Sequence, residues 1–313
     1  GFLAKKNRRI KNRMILCVGE ILADMIGTEK DGSFYYERKA GGAPFNVACA
    51  AAKFGADTAF IGSVGDDLIG DFLIGFAKNN SKAKTYIQRT PDYNTTLAFV
   101  ELSGNGERNF CFYRKNTADY RLPEIPADVW KEADIVHVGS LMLSEKEGLS
   151  YALDLAKKAK EEGKTVSFDV NFRSDIFRDT PSAVREYKKV IALADIVKFS
   201  EDETGIFGAD YIKNDLGEKL VCISLGGTGS MWRYSGKSEK VPSIAVKPID
   251  TTGAGDAFYG GVLSVLERSG GKARDEKTLN EALKFGNVCG ALNTLTRGAI
   301  DGLPDLKTVE SYL

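Results

Sequence analysis

Histidine is almost missing from this chain: His137 is the single one in 313 residues. A Ser-His-Asp triad would have to be built on it, and no G-x-S-x-G elbow occurs to present the nucleophile. His137 stands in the apolar run Ile135-Val136-His137-Val138-Gly139, at or near a strand end, where a structurally satisfied imidazole is expected. Net charge is missing too. Lys+Arg and Asp+Glu are equal at 43 each, so no basic surplus points to nucleic acid or to an acidic membrane surface. No apolar run is long enough to cross a membrane. There is no G-x-x-x-x-G-K-[ST] loop, which excludes a Walker-type nucleotide site, and no protein-kinase signature. Cysteine is sparse: Cys17, Cys49, Cys111, Cys222 and Cys289 are far apart, odd in number and free of any C-x-x-C pair. That pattern excludes a disulfide framework and a zinc site, and reads as reduced, buried thiols of a cytoplasmic protein.

An apolar content of 43% supports a sizeable core. Short β-rich runs, most of them apolar throughout, fall at 14–19, 57–63, 134–139, 165–170, 195–199 and 219–224. Helical patterns fall at 44–54, 67–78, 144–162, 181–193, 254–268 and 276–296. This alternation predicts βαβ units: an α/β fold with a mostly parallel central sheet and helices on both faces. Ligands then bind at the carboxyl ends of the strands. Residues 95–113 break the pattern, reading as two strands around Ser103-Gly104-Asn105-Gly106, and 32–38 reads as a further strand. These are too few for a core of their own, and a small β-sheet acting as a lid over the site is expected. Residues 1–13 are basic with no apolar stretch, so they do not read as a secretory signal. A disordered extension is expected there, ahead of one domain over 14–313.

The most specific string is Asp250-Thr251-Thr252-Gly253-Ala254-Gly255-Asp256, followed by the apolar pattern of a buried helix. The glycines therefore stand where chain turns into helix. First-turn N–H groups there have no intrahelical partner and the helix dipole adds positive potential, so the turn suits an anion. Asp256 is at odds with that, since an anion repels it. The conflict disappears if Asp256 takes a proton from a hydroxyl that attacks the anion, as phosphoryl transfer requires. A plain capped helix needs neither two glycines nor a second Asp.

Other candidates are weaker singly. Gly41-Gly42-Ala43-Pro44 leads into a helix whose first turn holds Asn46, an amide that both donates and accepts. Asp24 follows the first strand and offers a carboxylate to hydroxyls. Asp169-Val170-Asn171-Phe172-Arg173 closes a strand, and Arg173 and Arg114 can bind hydroxyls or phosphate or form surface ion pairs. Lys198-Phe199-Ser200-Glu201-Asp202-Glu203 brings acids that can hold Mg²⁺ through water or simply open a helix. Ser224-Leu225-Gly226-Gly227-Thr228-Gly229 admits a nucleotide or turns a hairpin.

In this order, Gly41-Gly42…Asn46…Gly55 through Gly62-Ser63-Val64-Gly65-Asp66-Asp67, and then DTTGAGDAF, the chain resembles the PfkB-type, ribokinase-like carbohydrate kinases from about Met14 to its C-terminus. The resemblance implies a ribokinase-like α/β fold with a β lid, ATP as donor, Mg²⁺, and often a monovalent cation such as K⁺. By position it implies Asp256 as base, and the N–H groups of Gly253, Ala254 and Gly255 as the anion hole. It implies Asp24, Gly41, Gly42 and Asn46 at the sugar, joined by Arg114, Asn171 and Arg173. Ser224, Gly226, Gly227 and Gly229 would line the nucleotide, with Asn287 near adenine. Glu203 would serve the metal, with Asp250 and Thr252 near the monovalent cation. Ser200 stands on the nucleotide side, where the family's N-x-x-E motif usually has Asn. The substrate-side strings look most like those of bacterial fructokinases. 2-keto-3-deoxygluconate kinases share many of them, and a non-catalytic sugar-binding regulator on the same scaffold is the alternative from another class. The implied partners are a sugar and ATP, with no nucleic acid or membrane. A homodimer through the lid edge is also expected.

Overall fold

The computed structural model describes residues 13–102, 108–271 and 274–313. In chain order its strands are β1 (Met14–Val18), β2 (Leu22–Lys30), β3 (Ser33–Gly41), β4 (Thr58–Gly65), β5 (Lys84–Thr90), β6 (Leu97–Leu102), β7 (Arg108–Tyr113), β8 (Ala133–Val138), β9 (Thr165–Asp169), β10 (Ile196–Ser200), β11 (Leu220–Ser224), β12 (Gly229–Tyr234) and β13 (Lys237–Pro242). The helices are α1 (Ala43–Lys53), α2 (Leu68–Asn80), α3 (Ala127–Glu132), α4 (Lys146–Glu161), α5 (Thr180–Leu193), α6 (Glu201–Phe207), α7 (Ala254–Arg268), α8 (Glu276–Asn293) and α9 (Leu306–Glu310).

Among the described residues, nine strands form one sheet in the order β13-β12-β11-β10-β9-β8-β1-β4-β5. The run from β11 to β5 is parallel, and β12 joins β11 and β13 antiparallel. The side-chain period of two splits each central strand between two cores. From β1, Ile15 and Cys17 enter the layer of α1, α7 and α8, whereas Met14, Leu16 and Val18 enter the layer of α4 and α5. Burial on both faces is why these strands read as unbroken apolar runs. Several helix starts carry side-chain caps: Asp67 accepts from Ile69 N and Gly70 N at α2, and Asp179 and Asp275 cap α5 and α8.

A second sheet has the order β3-β2-β6-β7. It stands at the carboxyl-end edge of the large sheet, joined to it through a small apolar cluster of Leu22, Ala98 and Leu141 with Phe112 and Ile176 packed on it. It has one strand more than the sequence predicts. The strand expected at 32–38 runs Ser33–Gly41, and β2 was not expected. β2 is covered at its start and exposed over its last three residues, and β3 is exposed over its first six, so no apolar run marks them. The turn at Ser103-Gly104-Asn105-Gly106 lies outside the described residues, as do residues 1–12. β5 and the β12–β13 hairpin also escape the sequence reading. They lie at the sheet edges, and β13 is exposed at all but one position.

His137 lies inside β8, with Nδ1 3.1 Å from Ser167 Oγ. Burial pushes its imidazole down to about 3, so it is neutral. All five thiols are free. Cys111, in β7, is exposed, so the expectation of buried thiols fails there: β7 is an edge strand of the small sheet. No helix is long and apolar enough to cross a membrane, among the described residues.

Candidate active site

The start of α7 is shaped by its glycines. Gly253 has φ +74°, and a Cβ there would come within 2.4 Å of Ala299 Cβ, so conformation and space both demand glycine. Further along, a Cβ on Gly260 would lie 2.6 Å from Ala50 Cβ and 3.0 Å from α1 backbone. α7 and α1 therefore touch backbone to backbone, with their first turns side by side. There Asn46 Nδ2 donates to Asp256 Oδ2 at 2.9 Å. The turn ahead of α7 is pinned by Asp250: its Oδ1 accepts from Thr252 N at 2.8 Å and its Oδ2 from Gly298 N at 2.9 Å.

A cavity of about 320 Å³ opens over these first turns. It brings together Asp24, Gly42, Asn46, Asn171, Arg173, Thr252, Gly253, Gly255 and Asp256. Gly41 backs it. A Cβ on Gly41 would meet Asp24 Oδ2 at 2.2 Å, so the missing side chain is the space the carboxylate occupies. Asp24 itself is not in a loop but in β2, opposite Lys39. Asn171 holds the left-handed φ of +36° at the end of β9, which turns its amide into the cavity.

The electrostatics are those of a crowded, buried pocket. Burial pushes the Asp256 carboxyl above the usual aspartate range, against the Asn46 hydrogen bond and the charges of Lys198 and Arg173. Burial and the neighbouring Asp256 push Asp24 up to about 7, with Arg173 opposing. Two lining residues are ionisable groups that sequence reasoning did not assign. Glu20 accepts from Ala43 N through Oε1 at 3.2 Å, and its buried Oε2 has no hydrogen-bond partner. Burial pushes it up to about 8. Lys198 lies in β10 with Nζ 3.0 Å from Asp169 Oδ2. A lysine inside the apolar strand Ile196–Ser200 is the signal that could have found it, since a buried charge needs a partner and a reason.

Several expected residues lie elsewhere. Arg114 does not line this cavity. Its Nε donates to Asp119 Oδ2 at 2.7 Å and its Nη1 to Ser144 Oγ, and it borders a neighbouring cavity of about 720 Å³. The Ala254 N–H donates to Thr251 O at 3.2 Å, so it closes the turn. Ser200 and Glu203 form a capping box on α6, and Glu203 Oε1 also accepts from Phe172 N at 2.6 Å. Ser224, Gly226, Gly227 and Gly229 cluster at the carboxyl end of β11 and the turn into β12. Gly229 sits where a Cβ would strike Val241 O at 2.2 Å. Asn287, in α8, donates to Val241 O at 2.9 Å.

A buried carboxylate in the first turn of a helix, flanked by two cations at the carboxyl edge of a parallel sheet, defines a small-molecule kinase of α/β architecture. The pfkB family carbohydrate kinase profile matches residues 12–306, and the chain belongs to that family. It is 36% identical to probable fructokinase-7 of Arabidopsis thaliana, over 98% of this chain and 96% of that protein. The fructokinase of Xylella fastidiosa with bound ATP superposes with a TM-score of 0.87 at 30% identity, covering 96% of this chain and 98% of that one. The Vibrio cholerae O395 fructokinase bound to fructose, ADP and calcium ion does so with a TM-score of 0.84 at 31% identity, over 96% and 98% of the two chains.

Proposed function

We propose that this protein transfers the γ-phosphoryl group of ATP to the 6-hydroxyl of fructose, giving fructose 6-phosphate and ADP. The observation that carries this reading is Asp256: a buried carboxylate, held by Asn46, at the edge of a cavity that also opens onto the start of α7. Asp256 takes the hydroxyl proton as the oxygen attacks phosphorus in line. The N–H groups of Gly253 and Gly255 and the dipole of α7 receive the phosphoryl oxygens. Asp24, Asn46, Asn171 and Arg173 hold the sugar hydroxyls, with Gly41 and Gly42 giving them room. ATP lies along Ser224, Gly226, Gly227 and Gly229 toward Asn287, with Ser200 nearby. A non-catalytic sugar-binding regulator would have no use for Asp256. A keto-acid substrate gains nothing from Arg114, which Asp119 neutralises.

Among the described residues there is no group of three or more acidic, His or Cys side chains suited to a metal. Both Glu203 oxygens and both Asp250 oxygens accept from backbone N–H groups. The donor set therefore fits a Mg²⁺ that arrives on the ATP phosphates and keeps much of its water. Bound there, Mg²⁺ supplies positive charge to the phosphate oxygens. Glu203, Asp250 and Thr252 act on it, or on a monovalent cation, through water and through the backbone they fix.

The small sheet acts as a lid that closes over fructose and excludes water. Two copies pair through its edge strands, where Phe34, Tyr35 and Tyr113 are exposed. Light scattering checks this, and a monomer at working concentration would sink it. Five free thiols suit a reducing cytoplasm. The decisive test of function is ATP- and Mg²⁺-dependent ADP release over fructose, 2-keto-3-deoxygluconate, ribose, glucose and adenosine. Turnover on fructose is expected. Turnover on the keto acid alone would overturn the sugar assignment, and silence on the panel would overturn the kinase reading.

A further inference from the structure

The positive charge at the start of α7 is more than that of a helix end. Lys198 is buried, yet it lines the cavity, while its partner Asp169 lies behind it and does not. The ammonium stands beside Gly255: a Cβ built there would lie 3.3 Å from Lys198 Nζ. Gly255 is not among the glycines with positive φ. The backbone at 255 therefore admits any residue, and what glycine provides is space in front of the lysine.

We propose that Lys198 is a further catalytic residue: its ammonium, aimed by Asp169 and given room by Gly255, contacts the transferring phosphoryl group and stabilises the charge on it. The proposal rests on the kinase reading above and extends it. Asp169 is the positioning residue. The O–P bond to the sugar forms as the bond from phosphorus to the ADP oxygen breaks. The hydroxyl proton goes to Asp256, ADP leaves with the electron pair, and Lys198 neither gains nor loses a proton.

A buried ion pair is a weak device for stability, since the desolvation of both charges offsets their attraction. Asp256 repels an incoming phosphoryl group, and Lys198 is a fixed positive charge close enough to offset it. Burial works to lower the lysine's pKa, but Asp169, Glu203 and Asp256 outweigh it, so the side chain stays protonated.

The test uses the full-length protein, with Lys198→Met, and with Lys198→Met combined with Asp169→Asn so that no buried carboxylate is left unpaired. Lys198→Met is expected to lower kcat by about 10²-fold or more, while the calorimetric Kd for fructose changes only a few-fold. The double variant is expected to recover the thermal midpoint lost in Lys198→Met and to stay as slow. A double variant that regains both its midpoint and its turnover makes the pair structural and overturns the proposal. So does a Lys198→Met variant with unchanged kcat. If the unmutated protein phosphorylates no sugar, the kinase reading fails first and this one falls with it.

Discussion

The side-chain amide of Asn46 donates to Asp256 Oδ2 at 2.9 Å, tying the first turn of α1 to the first turn of α7. A hydrogen bond given to a carboxylate favours its charged form. In this pocket it works against burial, which holds the Asp256 pKa above the usual range. If Asp256 is the base, kcat/KM falls on the acid side as Asp256 takes up a proton. Asn46→Ala is expected to move that acid limb to higher pH. A pH–rate profile checks this, and an unmoved limb would separate Asn46 from the base.

Asp256→Asn keeps the shape of the pocket and removes the proton acceptor. Turnover is expected to fall by about 10²–10⁴-fold, the usual worth of a positioned base, with a modest change in fructose affinity. Steady-state kinetics beside calorimetric titration would show it. Near-normal turnover would refute the assignment of the base.

Gly260→Ala places a methyl group 2.6 Å from Ala50 Cβ, where two helices already touch. Overpacking of this kind costs about 1–3 kcal/mol. The thermal midpoint should drop, and turnover should drop with it, because the same contact sets the spacing of Asn46 and Asp256. A variant of full stability would mean that α1 and α7 have room to spare.

Asp250→Ala removes the acceptor for the N–H groups of Thr252 and Gly298. A buried donor left unsatisfied costs about 1–3 kcal/mol. Lower stability is expected, along with a lower kcat from a loosened turn before Gly253. Unchanged unfolding in denaturant would show that the clamp adds nothing.

Burial raises Glu20 to about 8 and Asp24 to about 7. Between the unfolded carboxyl range and these values, the folded protein holds protons that the unfolded chain has released. The stability these two groups contribute is therefore full below pH ~4 and is lost as pH rises through about 7 to 8. Asp67, held down by four hydrogen bonds although burial opposes them, works the other way at the acid end. Melting of the ligand-free protein should give a lower midpoint at pH 8.5 than at pH 6, and Glu20→Gln should flatten that slope. A rising midpoint over this range would contradict the burial argument.

The parts of this fold that could be read from sequence are those with one physical cause. Strands such as β1 and β8 are buried on both faces, so their apolar runs have no other explanation. The 250–256 string was legible because steric demand, backbone freedom and charge all coincide in it. β13 was not, because an edge strand needs no apolar pattern, and β2 was not, because a half-exposed sheet with Gly27 in it reads as loop. Arg114 misled for a different reason. A sequence displays a cation but not the carboxylate that neutralises it, and Asp119 does so from five positions away. Lys198 and Glu20 stayed hidden because a charge is judged functional or superficial only once its burial is known.

The contact between Asn46 and Asp256 spans 210 residues of chain. No hairpin or helix pair can rehearse this site locally, since its two halves meet only when the parallel sheet between them has closed. Contacts of such long range form late and slowly. Recovery of turnover during refolding should therefore lag behind recovery of helix signal, and any intermediate lacking either end of the chain would be folded in part but chemically silent.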